Sequence, residues 1–173
     1  MKAKPNGGKL TPAAQLRSFI ERFDPKERKL IRSVRAAIRK RLPTANELVY
    51  DYGFSLVMSY SPTDRGIDSI VSFSARTTGF ALYFHRGPQL PDPKRLLLGA
   101  GRQTRFIQLD AASQVAHPDV KSLIAAALDQ AKIPLPPTGK GNLIIKSDGA
   151  KKPSTRERDR PFKERRAKSA RAR

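Results

Sequence analysis

The sequence contains no cysteine. Disulfides, thiolate nucleophiles and thiolate metal sites are therefore excluded, and the composition suits a reducing compartment. Histidine is nearly as scarce. With two residues, His85 and His117, a histidine metal site would need carboxylates to complete it. Acids are few, 15 Asp and Glu against 35 Lys and Arg. A long apolar run is also missing: the basic opening Met1 to Lys4 is not followed by one, and the amphipathic stretch Thr11 to Phe23 is interrupted by Arg17, Glu21 and Arg22. Neither a secretory signal nor a membrane span is expected, and the default location is the cytoplasm. None of the serines at 55, 59, 61, 69, 72 and 74 sits in Gly-x-Ser-x-Gly, so they read as the polar side of strands.

What is abundant is positive charge, and it is unevenly placed. The formal net charge is +20. From Pro134 onward there are 13 Lys and Arg against 4 Asp and Glu, whereas Leu16 to Ile133 carries 19 against 11. The pattern is that of a moderately basic folded domain followed by a strongly basic tail, with a polyanion or an acidic surface as the expected partner.

Local signals divide the chain into four parts. Residues 1–10 hold Pro5, Gly7 and Gly8 and read as a flexible N-terminus. A domain spans 11–133. Thr11-Pro12 opens a first helix, with Leu16, Phe19, Ile20 and Phe23 on one stripe. Asp24-Pro25 opens a second, with Glu27 at the capping-box position and Leu30, Ile31, Val34, Ile38 and Leu42 along one face before Pro43. The period then shortens. Strands are expected over 47–51, 54–60, 67–75 and 80–85, separated by turn-forming sequences, and a fifth over 105–109. Asp92-Pro93 predicts a short helix over 94–98 that stops at Gly99. Pro118 opens a last helix with Val120, Leu123, Ile124, Ala127, Leu128 and Ala131 on its apolar side. The expected fold is α+β: a mostly antiparallel sheet of about five strands with helices packed on one face, in the order α-α-β-meander-α-β-α. Residues 134–146 form a Pro/Gly linker whose 142–146 stretch is an apolar patch suited to docking at the domain edge. Residues 147–173 have too few core formers to offset ordering entropy and are expected to be disordered.

Three segments, NELVYDYG at 46–53, LPDPKRLL at 90–97 and GAGRQTRFIQL at 99–109, together resemble the YdhG-like family. The resemblance covers roughly Ala14 to Ala131, and Gly141 to Lys146 resembles an extension found in some members. It implies an α+β domain of unknown function, with one branch of the family described as frataxin-like intracellular iron chaperones. Iron handling calls for clustered oxygen ligands. Here Glu47, Asp51, Asp64, Asp68, Asp92 and Asp110 are scattered along the sequence, so the resemblance bears on fold more than on function.

Two sets of residues are candidates for binding. The first is an anion or small-ligand set. Gly99, Gly101, Arg102 and Arg105 combine close backbone approach with guanidinium forks, and Lys94 and Arg86 lie near them in sequence. The spacing is not a P-loop, and a helix stop is the plainer reading of the glycines. His85 ends a strand and offers an acid or base in a cleft, while His117 reads as a cap. Tyr50 and Tyr52 share a strand face and are candidates for a pocket wall or a dimer contact, core packing being the duller reading. The second is a polyanion set. Arg28, Arg32, Arg35 and Arg39 form a stripe on the second helix, for which an ordinary solvated face is the plainer reading. The tail contributes Lys151, Lys152, Arg156, Arg158, Arg160, Lys163, Arg165, Arg166, Lys168, Arg171 and Arg173, with Phe162 as its one aromatic residue.

The leading expectation is a non-enzymatic accessory module whose tail contacts nucleic acid without sequence preference, or an acidic protein. No cofactor, metal site or acid–base–nucleophile set is expected. The alternative is small-ligand or metal handling in a sheet-face pocket. Convergence of His85, Arg102 and Arg105 on one pocket would favour that alternative.

Overall fold

In the computed structural model, residues 10–146 are described. The N-terminal segment 1–9 and the basic tail 147–173, with the eleven tail cations named above, lie outside them.

Local signals start the helices where the sequence places them. Helix α1 (Pro12–Ile20) is capped by Thr11, whose hydroxyl accepts from the Ala14 N–H at 3.2 Å. Helix α2 (Pro25–Arg41) opens with a reciprocal capping box: the Asp24 carboxylate accepts from Glu27 N–H at 2.9 Å and the Glu27 carboxylate from Asp24 N–H at 3.2 Å. A cap of this kind contributes about 1 kcal/mol.

Strands β1 (Asn46–Asp51), β2 (Ser55–Ser61), β3 (Val71–Arg76) and β4 (Gly79–Phe84) form an antiparallel meander, continued by β5 (Arg105–Leu109). Helix α3 (Pro118–Asp129) follows, and the short strand β6 (Leu143–Ile145) pairs parallel to β1. The sheet order is β5-β4-β3-β2-β1-β6. The architecture is mixed α+β, with three helices and a six-stranded, mostly antiparallel sheet among the described residues.

Alternation along the strands decides which face meets the helices. Val49, Leu56, Met58, Tyr60, Phe73, Leu82, Phe84 and Ile107 join Leu16, Ile31, Val34, Ile38, Leu123 and Ile124 in one core. The opposite face is polar over β2 and β3. There Ser59 and Ser72, directly paired across the ladder, hydrogen bond at 2.7 Å, and Ser55 and Ser74 at 3.2 Å. No helix of the described residues is long and apolar enough to cross a membrane.

Two elements differ from the sequence expectation. The helix expected over 94–98 does not form. The Asp92 carboxylate accepts from Leu96 and Leu97 N–H, both at 2.8 Å, and Arg95 adopts a left-handed φ of 54°. Asp92 thus closes a loop, and Leu98 bridges to Phe106 instead. The sheet also has six strands, not about five, because the 142–146 patch pairs with the edge strand β1. Asn142 O accepts from Glu47 N–H at 2.8 Å and Lys146 N–H donates to Val49 O at 2.7 Å. The approach requires Gly141, since a Cβ there would collide with the Ala45 carbonyl. A smaller shift affects the third strand. It begins at Val71, because Gly66–Asp68 forms a 3-10 turn that carries Ile67 out of the sheet.

Candidate functional site

Two clusters of cationic side chains stand out, and they differ in whether a carboxylate accompanies them. The first lies between α2 and β1. Alternation places Glu47 beside Tyr60 on the helix-covered face, where it is 0% exposed. Arg35 grips its carboxylate through two bonds, Nε to Oε1 at 2.8 Å and Nη2 to Oε2 at 2.7 Å. Arg39 adds a bond to Oε2 at 3.0 Å and reaches Gly141 O at 3.4 Å. The Tyr60 hydroxyl donates to Oε1 at 3.1 Å. The Glu47 hydrogen bonds raise the Arg35 pKa and hold its charge. Burial, reinforced by the Glu47 charge, pushes the Tyr60 hydroxyl well above its ordinary value, so it stays a proton donor.

The rest of the α2 stripe is paired as well. Arg28 and Arg32 both bond Glu21, at 2.8 and 2.7 Å. Four arginines thus meet two carboxylates. The stripe keeps an excess positive charge, but its guanidinium groups are directed at Glu21 and Glu47.

The second cluster lines a cleft of about 710 Å³ where one end of the sheet meets the end of α3. Four chain segments build it: the 65–70 turn, the stretch 85–89 after β4, the loop 102–104 before β5, and residues 127–133. Each brings a cation: Arg65, Arg86, Arg102 and Lys132. Arg86 donates to Gln130 O at 2.8 Å, which satisfies a carbonyl at the end of α3. Arg65 stands 3.8 Å from Asp68, whose carboxylate also accepts from Thr63. Arg102 and Lys132 have neither a carboxylate nor a hydrogen-bond partner among the described residues.

The cleft also holds His85 and Ser69. His85 Nε2 lies 2.6 Å from Ser72 Oγ, and Ser72 Oγ lies 2.7 Å from Ser59 Oγ. This hydrogen-bonded chain runs through serines only, with no carboxylate in it. Burial lowers the His85 pKa, so the ring is neutral at pH 7. Ser69 is 5% exposed, and its hydroxyl is buried without a hydrogen-bond partner among the described residues. A buried hydroxyl without a partner costs about 1–3 kcal/mol, a penalty that a polar ligand would relieve. The size of the cleft falls within the usual range for small-molecule sites, while its lining is more polar than most.

Of the residues singled out in the sequence, His85, Arg86 and Arg102 meet in this cleft. Arg105 does not. Its guanidinium folds back onto the carbonyls of Gly101 and Thr104, and its backbone packs against Gly87. Gly99 takes a left-handed φ of 106° beneath the Phe106 ring, and Lys94 pairs with Asp119 at 3.5 Å. Tyr50 and Tyr52 stack on each other at 6.1 Å and lie outside the cleft lining. His117 caps α3, accepting from Asp119 N–H. Sequence reasoning did not find Arg65, Ser69 or Lys132. Arg65 sat in a turn signal and Ser69 in an expected strand, and no local pattern links either to Lys132.

Comparison of the chain with known protein families, curated proteins and solved structures finds no match. The cleft is therefore read from its own chemistry. Among the described residues no group of three His, Asp or Glu side chains is placed to hold a metal ion. Asp51 is bound by Arg22 at 2.6 and 2.9 Å, and Glu21, Glu47, Asp68 and Asp119 each have cationic or hydroxyl partners.

Proposed function

We propose that this chain is a YdhG-like binding module that takes a small organic or inorganic anion in the cleft between the 65–70 turn, the 85–89 stretch and the end of α3. The observation that carries the reading is the company Arg102 and Lys132 keep. Among the described residues they have no partner, in a cleft that also contains a buried hydroxyl without a partner among those residues and a neutral imidazole. Guanidinium and ammonium groups without carboxylates attract phosphate and carboxylate ligands. The reading is one of recognition: the partly buried Ser72–His85 pair has no carboxylate beside it among the described residues.

The test is thermal stabilisation by a panel of phosphate and carboxylate anions at fixed ionic strength. A ligand at a hundred times its Kd adds about 2.7 kcal/mol to stability. Stabilisation by such anions, absent in Arg102→Glu with Lys132→Glu, supports the reading. Equal stabilisation of wild type and variant refutes it.

A second reading concerns polyanions, and the charge segregation along the chain favours it. Residues 147–173 carry a net charge of +7, and Glu21 and Glu47 engage the α2 stripe. In this reading the tail makes the salt-sensitive, sequence-tolerant contact with nucleic acid or an acidic protein. Truncation after Ser147 then removes most affinity for random duplex and single-stranded nucleic acid in an anisotropy titration. Retention of full affinity by the truncated chain defeats it.

A further inference from the structure

Leu10, Ile67 and Ile133 are the large hydrophobic side chains that remain exposed among the described residues. Leu10 precedes α1. The other two both border the anion cleft: Ile67, at 77% exposure, from the 66–68 turn, and Ile133, at 40%, just beyond α3. A single exposed isoleucine needs no explanation; these two come from separate segments and line the same cleft. The sequence had the means to hide Ile67. Alternation would have carried it into an extended strand, yet the 3-10 turn lifts it out of the sheet. Further inside, Ile70 and Ala127 add buried apolar wall.

Resting on the reading of the cleft as an anion site, we infer that its ligand is an amphipathic small anion, with a phosphate or carboxylate head and an aliphatic or aromatic body. Arg102 and Lys132 supply the charge for the head. Ile67 and Ile133 supply the surface that a hydrocarbon body covers. The volume of about 710 Å³ accommodates a body of several carbons beyond the head. Inorganic phosphate and fully hydrophilic sugar phosphates would leave both isoleucines in water, and so bind more weakly than a ligand that covers them.

The test is a chemical-shift titration of the full chain with methyl, butyl and hexyl phosphate, and with acetate, pentanoate and heptanoate as the carboxylate arm. Full burial of one methylene strengthens binding about fourfold. The expected result is a rise of about two- to fourfold per methylene in whichever head series binds, with shifts at the Ile67 and Ile133 methyl groups. Ile67→Ser with Ile133→Ser flattens that slope, so that the ratio of long-chain to short-chain affinity falls toward one. If the short anions bind but chain length changes nothing, the inference fails and the anion reading stands. If no member of either series binds, the anion reading itself fails. Sedimentation of wild type and the double isoleucine variant supplies the remaining control. Self-association lost in the variant would assign the isoleucines to a contact between copies and overturn the inference.

Discussion

The Glu47 cluster and the cleft are both built from arginine, yet they present opposite electrostatic situations. In the first, Arg35 and Arg39 converge on a carboxylate with no solvent exposure, and Tyr60 fills another of its acceptor positions. In the second, Arg102 and Lys132 line a space that holds one acid among the described residues, Asp68, which is occupied with Thr63 and Arg65. A saturated cluster ties elements together, here α2, β1 and the backbone before β6 through Gly141 O. An unsaturated one is left to attract something from outside. The difference shows that density of positive charge along a sequence does not say which cations the fold neutralises. What matters is whether a carboxylate was folded in beside it.

The sharpest way to break this comparison is to remove the buried acid. Glu47→Leu leaves Arg35 and Arg39 without their carboxylate and should destabilise the fold by about 3 kcal/mol in urea denaturation. A loss below about 1 kcal/mol would mean that the two arginines reach water at little cost and that the cluster is not a structural clamp. Charge reversal in the cleft should do the opposite. Arg102→Glu with Lys132→Glu should change stability by no more than about 0.5 kcal/mol, as exposed substitutions do, while anion affinity falls at least tenfold. A large stability loss there would make the cleft cations structural too.

His85 sharpens the contrast through pH. Its folded pKa lies below the ordinary 6.5, so below pH 6.5 the unfolded chain takes up a proton that the folded chain refuses. Stability therefore falls as pH drops from 6.5 toward the lowered value, by at most about 1.4 kcal/mol per pH unit. His85→Gln should flatten this slope in denaturation series between pH 5 and 7. An unchanged slope would assign the dependence to other groups.

The smallest effect is expected on the outer half of α2. Arg28→Ala with Arg32→Ala removes exposed pairs with Glu21 and should cost at most about 1 kcal/mol. Nucleic-acid affinity of the full chain should drop modestly, and a severe drop in anisotropy would move the polyanion site from the tail to this helix.

Much of the fold was legible locally. Thr11 and Asp24 are caps in the sequence and caps in the structure, because a capping bond spans three residues and needs no tertiary partner. The apolar stripes of α2 and α3 likewise report their own burial, whereas β3 is buried on both faces and its alternation marks only which face meets the helices. The expected helix at 94–98 shows the limit. Asp92-Pro93 is a start signal, but the same carboxylate bonds Leu96 and Leu97 to close a loop, and the Leu98–Phe106 bridge draws the chain toward the sheet. In the cleft, His85, Arg86 and Arg102 were identifiable as single residues. Their association with Ser69 and Lys132 was not, because the segments that carry them are distant in sequence.

By itself the sequence determined the start of each α-helix, the four-stranded meander, the absence of thiol chemistry and the separation of a mildly basic domain from a strongly basic tail. These follow from short-range periodicity, capping geometry and composition. Only the tertiary structure decided which cations are neutralised and which remain available. That choice depends on through-space distance between groups remote along the chain. Glu47 meets Arg35 twelve residues away and shields it, whereas Arg102 and Lys132 line one cleft with no carboxylate partner among the described residues.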